Sequence, residues 1–327
     1  MQLRYAFRLY PDAGQQRAWA KAFGCARVVF NDAVRAREEA REAGRPFPKI
    51  GPPRFKSRKD RRQSVRFTAN ARWKITGGGR LDLPKIGAVK VKWSRALPAV
   101  PSSVTVVKDA AGRYFASFVI DTDPAADAVR MPETDRTIGI DLGLTHFAVL
   151  SDGTKIDSPR FLRRVEKRLK KAQRELSRKQ KGSRNREKAR CKVARTHAEV
   201  TDARHEFHHQ LSTRLISENQ GIAVEDLSVT GLARTRLAKS VHDAGWSSFI
   251  GMLEYKAERY GRTLVKIGRF EPTSQTCSTC GAVDGPKPLD VREWTCTACG
   301  APVGPELVLA QREEAGSHGF PTEPRAA

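Results

Sequence analysis

The stretch TIGIDLGLTHFAVLSDG, from Thr137 to Gly153, decides the fold of the second half of the chain. Its first part, TIGIDLGL, is apolar over the length of a buried strand, and HFAVLSD follows where a hairpin partner would lie. GTKIDS predicts a third strand. Asp141 falls near the end of the first strand, so a carboxylate is expected at one edge of the predicted sheet.

A long helical region follows these strands. An apolar seam of Val165, Leu169, Ala172 and Leu176 runs through it, and KGSRN separates it from a second helix. We therefore predict a helical hairpin over residues 159–217 with a basic exterior. A solvated charged face is the simpler alternative, but the large excess of Lys and Arg over Glu favours phosphate contact.

The chain continues with a strand, a helix and another strand. GIAVEDLSV predicts the first strand, the helix runs from Trp246 to Tyr260, and RTLVKIGRF predicts the last strand. This order of elements is typical of an RNase H-like mixed sheet, which we place over residues 136–270. Glu225 falls near the end of its strand, as Asp141 does.

Asp141 and Glu225 meet at one sheet edge if their strands are neighbours. Paired carboxylates there can hold Mg²⁺, and two such ions can activate a water and stabilise the leaving oxygen of a phosphodiester. An alternative stays open, because GIDLG also resembles the phosphate-binding opening of actin-like ATPases. That alternative requires further Gly-rich phosphate loops, and the rest of the sequence shows none.

The front half has a different pattern. Residues 1–10 and the segments RWKIT, GAVKVKW, SSVTVV and RYFASFVI predict short strands, so 1–10 and 71–122 together predict a small antiparallel β-barrel. Residues 11–70 predict an insert that begins with a helix, in which the aromatic residues Trp19, Phe23 and Phe30 are expected to pack in the core, and ends with the basic stretch RFKSRKDRRQSVRF. Residues 123–135 predict a linker. The fold class is therefore α+β with several domains.

The charge balance indicates the class of partner. Lys and Arg number 60 against 36 Asp and Glu, which gives a net charge of +24. Such an excess favours a polyanion, because neutralising phosphates releases counterions. A basic protein on a membrane surface is the competing class, but no apolar run approaches about 18 residues and the N-terminus has no apolar signal core. We expect a cytoplasmic protein with no membrane partner.

Four of the six cysteines form two C-x2-C pairs, in SQTCSTCG and EWTCTACG. The four are Cys277, Cys280, Cys296 and Cys299. Four thiolates at this spacing can close a tetrahedron around Zn²⁺ with no open position for substrate, so we predict a structural zinc ribbon over residues 271–300. Cys25 and Cys191 stand alone in helical patterns, and we expect both to be buried small apolar residues.

A series of short motifs extends over nearly the whole chain to Gly300. They are RLYPDAGQQ, GCARVVFN, PRFKSR, LPKIGAVKV and GRYFASF in the front half, and GIDLGL, VEDLSV, AGWSSFIGMLEYKAERYG, EPTSQTCSTCG and CTACG in the second. In this order they resemble the TnpB family, the transposon-encoded RNA-guided nucleases related to compact type V CRISPR effectors. Each motif alone is a weak signal, but the ordered set is specific.

The resemblance implies a wedge-like β-barrel with a helical recognition insert, followed by a RuvC nuclease domain with an inserted zinc ribbon. It implies a guide RNA from the transposon end as a partner, and a double-stranded DNA target recognised by a short flanking motif. It also implies that Asp141 and Glu225 are the first two catalytic acids and ligands of Mg²⁺. With the charge pattern, it indicates nucleic-acid contacts at Arg27, Asn31, Arg54, Lys56, Arg58, Lys167, Lys170, Lys171, Arg174 and Lys256.

The segment after Cys299 departs from the family. Family members carry a run of roughly His-Asp-Arg-Asp-x-Asn-Ala there, whose later Asp completes the metal site, whereas this chain has APVGPELVLAQ. Counting from Cys299 puts the third catalytic acid at Glu306 and the family's Asn at Val308. Glu306 has a longer side chain than Asp and altered neighbours, so coincidence explains its position better than a ligand role does. Residues 301–327 form an atypical tail.

These features predict a TnpB-type RNA-guided DNA-binding protein whose RuvC-like endonuclease site is weakened or inactive. Three alternatives remain open: an endonuclease that still cuts by using Glu306, a basic zinc-ribbon DNA-binding protein without RNA, and a decayed mobile-element remnant. The first alternative differs from our prediction only in its chemistry, so a cleavage assay separates the two. The sequence leaves the oligomeric state open.

Overall fold

The computed structural model describes residues 2–44, 54–57, 60–121, 131–268, 275–277, 279–286, 291 and 294–303. Two compact units are present. The first comprises residues 1–127 and 172–195, and the second comprises 128–171 and 196–327. Each unit is described by itself below.

The first unit is built on a seven-stranded antiparallel sheet. Its elements are β1 (Gln2–Tyr10), α1 (Ala13–Glu42), β2 (Gln63–Thr68), β3 (Lys74–Ile75), β4 (Arg80–Leu83), β5 (Gly87–Lys92), β6 (Ser103–Lys108) and β7 (Tyr114–Asp121). The strand order is β2-β6-β7-β1-β5-β4-β3, and in the described residues the edge strands β2 and β3 do not pair with each other. The sheet is therefore a curled half-barrel rather than the complete barrel that we predicted. Strand β2 also lies within residues 11–70, which we assigned wholly to the insert.

Helix α1 packs on this sheet through its first half. Asp12 begins the helix with a capping box, in which the backbone N–H of Gln15 donates to Asp12 Oδ1 at 2.8 Å. Trp19 and Phe23 are buried and stacked in the core of the unit, as the sequence predicts. Phe30 is only half-buried and lies outside this core, contrary to the expectation that it packs there.

The second unit is built on a five-stranded mixed sheet, the arrangement that the sequence predicts. Its elements are β8 (Thr137–Leu142), β9 (His146–Leu150), β10 (Lys155–Asp157), β11 (Gly221–Glu225), α4 (Val229–Leu232), α5 (Ala238–Ala244), α6 (Trp246–Tyr260) and β12 (Thr263–Ile267). Helices α2 (Phe161–Ser177) and α3 (Arg184–Glu218) belong to both units, since residues 172–195 are part of the first. The strand order is β10-β9-β8-β11-β12, in which β11 pairs in parallel with both β8 and β12, and β9 is antiparallel to its neighbours.

One face of this sheet forms the core of the second unit. Ile140 and Val224, on adjacent strands, are fully buried against helices α3 and α6, which contribute Leu215 and Phe249 to the same cluster. Because side chains alternate along a strand, the residues between the apolar ones face the other way. The apolar positions of β8 and β11 thus determine which face carries the polar residues.

Helices α2 and α3 form the predicted hairpin. The guanidinium of Arg186 donates to the carbonyls of Leu176 and Lys179 at 2.9 and 2.8 Å, which satisfies backbone acceptors where α2 ends. Near the same tip, Glu187 accepts hydrogen bonds from Arg190 and Arg61, and these lower its pKa to about 2 against the opposing effect of partial burial. In the described residues, no helix has the length and apolar content needed to cross a bilayer.

Candidate active site and metal centre

Asp141 and Glu225 occupy equivalent positions on adjacent parallel strands. The pairing of β8 with β11 matches Ile140 with Val224, and each carboxylate stands one residue further along its strand. Residues matched in this way present their side chains to the same face, on strands about 4.8 Å apart. The two carboxylates therefore lie together at the edge where both strands end, as predicted from the sequence.

Small residues precede this pair on the same face. Gly139 and Ala223 stand two positions earlier, and both are buried, Ala223 in a cluster with Ile267. Both carboxylates are half-buried, which is compatible with access for an ion or a substrate. Half-buried carboxylates at neighbouring positions repel each other when ionised, so a cation between them is favourable. The donor set is therefore suited to Mg²⁺, which takes carboxylate and phosphate oxygens.

The four cysteines of the two C-x2-C pairs, each pair with its turn called a knuckle below, converge on one point. Their sulfur atoms all lie within 4.8 Å of one another. Cys277 Sγ is 3.6 Å from Cys299 Sγ, and Cys280 Sγ is 3.7 Å from Cys296 Sγ. A tetrahedron with Zn–S bonds of about 2.3 Å has edges of about 3.8 Å, so the cluster has the dimensions of a four-thiolate zinc site.

The two knuckles share one backbone geometry. In each, the first cysteine accepts a hydrogen bond from a glycine four residues later, 2.9 Å for Gly281 to Cys277 and 2.8 Å for Gly300 to Cys296. Both glycines have positive φ, 72° and 70°, a region that favours glycine. The knuckles thus turn their cysteine pairs back toward each other.

The crowding of thiols changes their acidity. Burial raises the pKa of the Cys277 thiol. Hydrogen bonds from the backbone of Cys280 and Thr279 and from neighbouring thiols together outweigh this effect and lower the pKa to about 6. The Ala301 backbone lowers the pKa of Cys299, but the Cys280 thiol, burial and the other thiols raise it to about 12. All four groups become thiolates together only when a cation offsets their repulsion.

Sequence reasoning missed a brace between the knuckles. Asp284 accepts hydrogen bonds from both the backbone N–H and the hydroxyl of Thr297, at 2.9 Å each. This contact joins the end of the first knuckle to the turn of the second. The only sequence signal is a short acidic residue four positions after Cys280, and it does not reveal the partner.

The predicted nucleic-acid residues of the hairpin are on the surface. Lys167, Lys170, Lys171 and Arg174 are all exposed on α2. Lys170 also lies 2.8 Å from Glu166, so part of its charge is balanced locally. The exposed cations along this helix form a surface suited to a phosphate backbone.

The predicted contacts in the first unit have mixed surroundings. Arg54 and Lys56 are exposed, and the Lys56 ammonium lies 4.0 Å from the centre of the Phe30 ring. Arg27 is half-buried and lines a cavity of about 90 Å³ that Lys56 also lines. The side chain of Asn31 is engaged with the backbone of Lys56, accepting from its N–H at 2.8 Å and donating to its carbonyl at 3.0 Å. Asn31 therefore positions the segment that carries Lys56.

Lys256 does not fit the prediction of a phosphate contact. It is only 4% exposed, and its ammonium donates to the carbonyl of His209 and to the hydroxyls of Ser212 and Thr213, at 2.9, 2.7 and 2.7 Å. Burial lowers its pKa to about 8. Its role in this structure is to tie α6 to α3 beneath the sheet.

The remaining predictions concern the two isolated cysteines and residues outside the described ranges. Cys25 is exposed, so the expectation that it is buried is wrong, and Cys191 is half-buried. Arg58 and Glu306 lie outside the described residues, and so does Val308.

Comparison with known proteins decides the family. A relative from Streptomyces pristinaespiralis named "Putative RNA-guided DNA endonuclease" is 41% identical over 89% of this chain and 83% of its own length. The family described as "Probable transposase" matches residues 117–236, and "Cas12f1-like, TNB domain" matches residues 246–304. The chain belongs to the TnpB family. The four-cysteine cluster of this TnpB protein lies in the second of these matches and fits a zinc ribbon.

A more distant relative carries a similar name. "Putative RNA-guided DNA endonuclease InsQ" from Escherichia coli K12 is 28% identical over 85% of this TnpB chain and 83% of its own length. Among solved structures, a Cas12f1–sgRNA–target DNA complex matches 76% of this chain and 59% of that chain at a TM-score of 0.46 and 13% identity. A "Helix-turn-helix domain" family also matches residues 1–46, where the described residues form strand β1 and the single long helix α1.

Proposed function

We propose that the chain is a TnpB-type RNA-guided DNA-binding protein whose RuvC-like, Mg²⁺-dependent endonuclease site is weakened or inactive. The observation that carries the proposal is the in-register position of Asp141 and Glu225 on adjacent parallel strands. This arrangement supports a pair of metal ligands at one sheet edge. Membership of a family whose relatives are named RNA-guided DNA endonucleases supports guided recognition of DNA.

In this proposal the chain's own residues hold and orient the reacting groups. Asp141 and Glu225 supply anionic oxygens on one face, at the edge where both strands end. Bound Mg²⁺ supplies Lewis acidity to the phosphodiester and lowers the pKa of a coordinated water. The fully buried residues Ile140 and Val224 fix both strands, so the carboxylates are held without rearrangement.

The four-cysteine cluster has a structural role in this proposal. Cys277, Cys280, Cys296 and Cys299 hold Zn²⁺ with all four coordination positions filled by protein, which leaves none for a substrate. The ion then stabilises a segment in which, among the described residues, the only other buried side chains are Thr276 and Val303.

Nucleic acid is the proposed partner of the basic surfaces. A guide RNA from the transposon end pairs with one strand of a double-stranded DNA target, and the protein contacts backbone and a short flanking motif. The net charge of +24 and the exposed cations of α2 support phosphate contact. The proposed binding weakens steeply with salt, because each neutralised phosphate releases counterions.

The reason to expect a weakened site is the third acid. The residue in register with the family's Asp is Glu306, with Val308 in place of the Asn. A misplaced ligand for charge in the transition state costs on the order of a hundredfold in rate. Guide pairing and DNA binding do not depend on that ligand, so binding is expected to persist while cleavage is slow or absent.

The test is a guided plasmid-cleavage assay with Mg²⁺ or Mn²⁺. Wild type, Asp141→Ala, and Glu306→Asp combined with Val308→Asn are compared, and target binding is measured in parallel. Absence of wild-type cleavage with activity in the combined variant supports the proposal. Robust wild-type cleavage that Asp141→Ala abolishes contradicts the weakened site and supports Glu306 as a metal ligand. Failure of every protein to bind target favours the decayed remnant.

A further inference from the structure

The second unit contains a basic cavity that none of the roles above uses. It has a volume of about 150 Å³ and is lined by Leu144, Ser158, Arg160, Arg163, Ser240 and Asp243. Arg160 and Arg163 are exposed, so the cavity opens to solvent beside two guanidinium groups. Two guanidinium groups and two hydroxyls in one concave site are the donor set of a phosphate site.

The sheet topology puts this cavity at the same edge as the carboxylate pair. Leu144 lies in the turn directly after β8, and Ser158 directly follows β10. Because β9 is antiparallel to both strands, the ends of β8 and β10 lie at one edge. Strands β8 and β10 are two sheet positions apart, or about 10 Å. Successive phosphates on one strand are separated by more than the axial rise of about 3.4 Å, so that span corresponds to at most about three nucleotides.

A buried carboxylate fixes the wall of the cavity. Asp243 is 5% exposed, and its Oδ1 accepts a hydrogen bond from the backbone N–H of Leu162 at 2.8 Å, in the first turn of α2. Its Oδ1 also lies 3.7 Å from the Arg204 guanidinium. The contact with Leu162 positions α2 so that Arg163, on the next residue, reaches Ser240 Oγ at 3.0 Å.

The same carboxylate carries an unsatisfied atom. Asp243 Oδ2 is buried and, within the described part of the chain, has no hydrogen-bond partner. A buried acceptor without a partner is unfavourable by about 1–3 kcal/mol. A water that enters the cavity can satisfy this atom, whereas a phosphodiester, which only accepts hydrogen bonds, cannot. The anion-binding side of the cavity is therefore the arginine side, and Asp243 fixes the wall behind it.

We propose that this cavity holds a backbone phosphate of the DNA strand that is presented to Asp141 and Glu225. Arg160 and Arg163 bind the phosphate, and Asp243 is a positioning residue that fixes the first turn of α2. Contact at this phosphate, within about three nucleotides of the one over the carboxylates, sets the register of the strand. This inference rests on the proposed function, since it assumes a DNA strand at that edge.

The first test is the salt dependence of binding to a fluorescein-labelled single-stranded DNA oligonucleotide by the full chain. Arg160→Ala combined with Arg163→Ala is compared with Arg136→Ala combined with Arg214→Ala, a pair of exposed arginines near the opposite edge. Loss of one phosphate contact lowers the slope of log K against log salt by about 0.7 for a single strand. We expect that decrease in the cavity variant alone, and retention of most of the slope when both cavity arginines are changed to Lys.

The second test locates the contact. In the guided target-binding assay, single phosphates of the DNA strand presented to the carboxylates are replaced by neutral methylphosphonates. In wild type, we expect one position at which the replacement weakens binding, and in the cavity variant that position becomes insensitive. Equal slopes in the cavity and control variants, or unchanged sensitivity, overturn the inference. A wild type without guided DNA binding contradicts the proposed function instead, and the slope comparison still decides the cavity.

Discussion

The cysteine cluster and the carboxylate pair are two candidate metal sites with opposite construction. The cysteines come from one short stretch, in which two similar turns direct four sulfur atoms to one point. The carboxylates come from strands far apart in sequence and meet because the parallel register of β8 and β11 brings them together. A local site is specified by residue spacing, whereas the edge of a sheet is specified by the packing of the whole unit. Changes outside the site therefore affect the second far more than the first.

The largest expected effect is on the cysteine side. Cys296→Ser removes a buried ligand, and structural zinc sites contribute about 10–16 kcal/mol of binding free energy to folding. We expect zinc content to fall from about one ion per chain to none, measured by elemental analysis. Cys25→Ser is the control, because this cysteine is exposed and outside the cluster. Full zinc content in Cys296→Ser contradicts a four-thiolate site.

The second prediction concerns the scaffold beneath the carboxylates. Lys256→Met removes three hydrogen bonds between α6 and α3, and hydrogen bonds to charged groups contribute about 1.5–3 kcal/mol each. Because the variant also removes the cost of burying the ammonium, we expect a smaller net loss of about 3 kcal/mol in the free energy of unfolding. Lys266→Met is the control, since Lys266 pairs with Glu254 at an exposed position and its loss costs within about 0.5 kcal/mol. Urea denaturation measures both. Equal stability of the two variants shows that the ammonium is dispensable.

The third prediction concerns the pH dependence of the stability of the second unit, which carries the carboxylate pair. Burial lowers the pKa of His208 from 6.5 to about 4, against a hydrogen bond to the Ala244 carbonyl and with a contribution from Arg204. The unfolded chain therefore binds this proton first, and stability is present above pH 6.5 and is lost as the pH falls toward 4. Between pH 7 and pH 5 we expect a loss of about 2 kcal/mol in the second unit.

His208→Gln should remove that loss, because an amide can still donate to the Ala244 carbonyl and does not titrate. His197→Gln, on an exposed position of the same helix, should retain it. Thermal unfolding at the two pH values measures the difference. The idea fails if wild type and His208→Gln lose equal stability on acidification.

The smallest expected effect tests metal at the carboxylates. Mn²⁺ at ten times its Kd stabilises a protein that binds it only when folded by about 1.4 kcal/mol. We expect this shift in wild type and its loss in Asp141→Asn. Asp157→Asn is the control, because Asp157 is a fully exposed carboxylate at the same sheet edge. An equal shift in all three proteins contradicts binding at Asp141.

The sequence predicts features that depend on local spacing but not those that depend on contacts between distant segments. The cysteine cluster follows from spacing, whereas the carboxylate pair was predicted only on the condition that its two strands are neighbours, which the sheet pairing supplies. The half-barrel could not be predicted, because closure depends on whether two edge strands meet. The contact of Asn31 with the Lys56 backbone could not be predicted either, because it joins segments more than twenty residues apart.

The position of Lys256 on the apolar face of α6 is a sequence signal for burial. Phe249, Leu253 and Lys256 follow the spacing i, i+4 and i+7, which puts all three on one face of α6. The first two belong to the core. A cation on the buried stripe of a helix is better interpreted as an internal tie than as a phosphate contact. Only the packing against α3 identifies the oxygens that it binds.

The parallel pairing of β8 with β11 also has a consequence for synthesis. Between them the chain runs through β9, β10, α2 and α3, so a growing polypeptide completes the basic hairpin before β11 exists. At about 5–20 residues per second, several seconds separate translation of Asp141 from that of Glu225. During that interval the nascent protein already displays the cations of α2, while the carboxylate pair has not yet formed. A phosphate backbone can thus be captured on the ribosome well before any chemistry on it is possible.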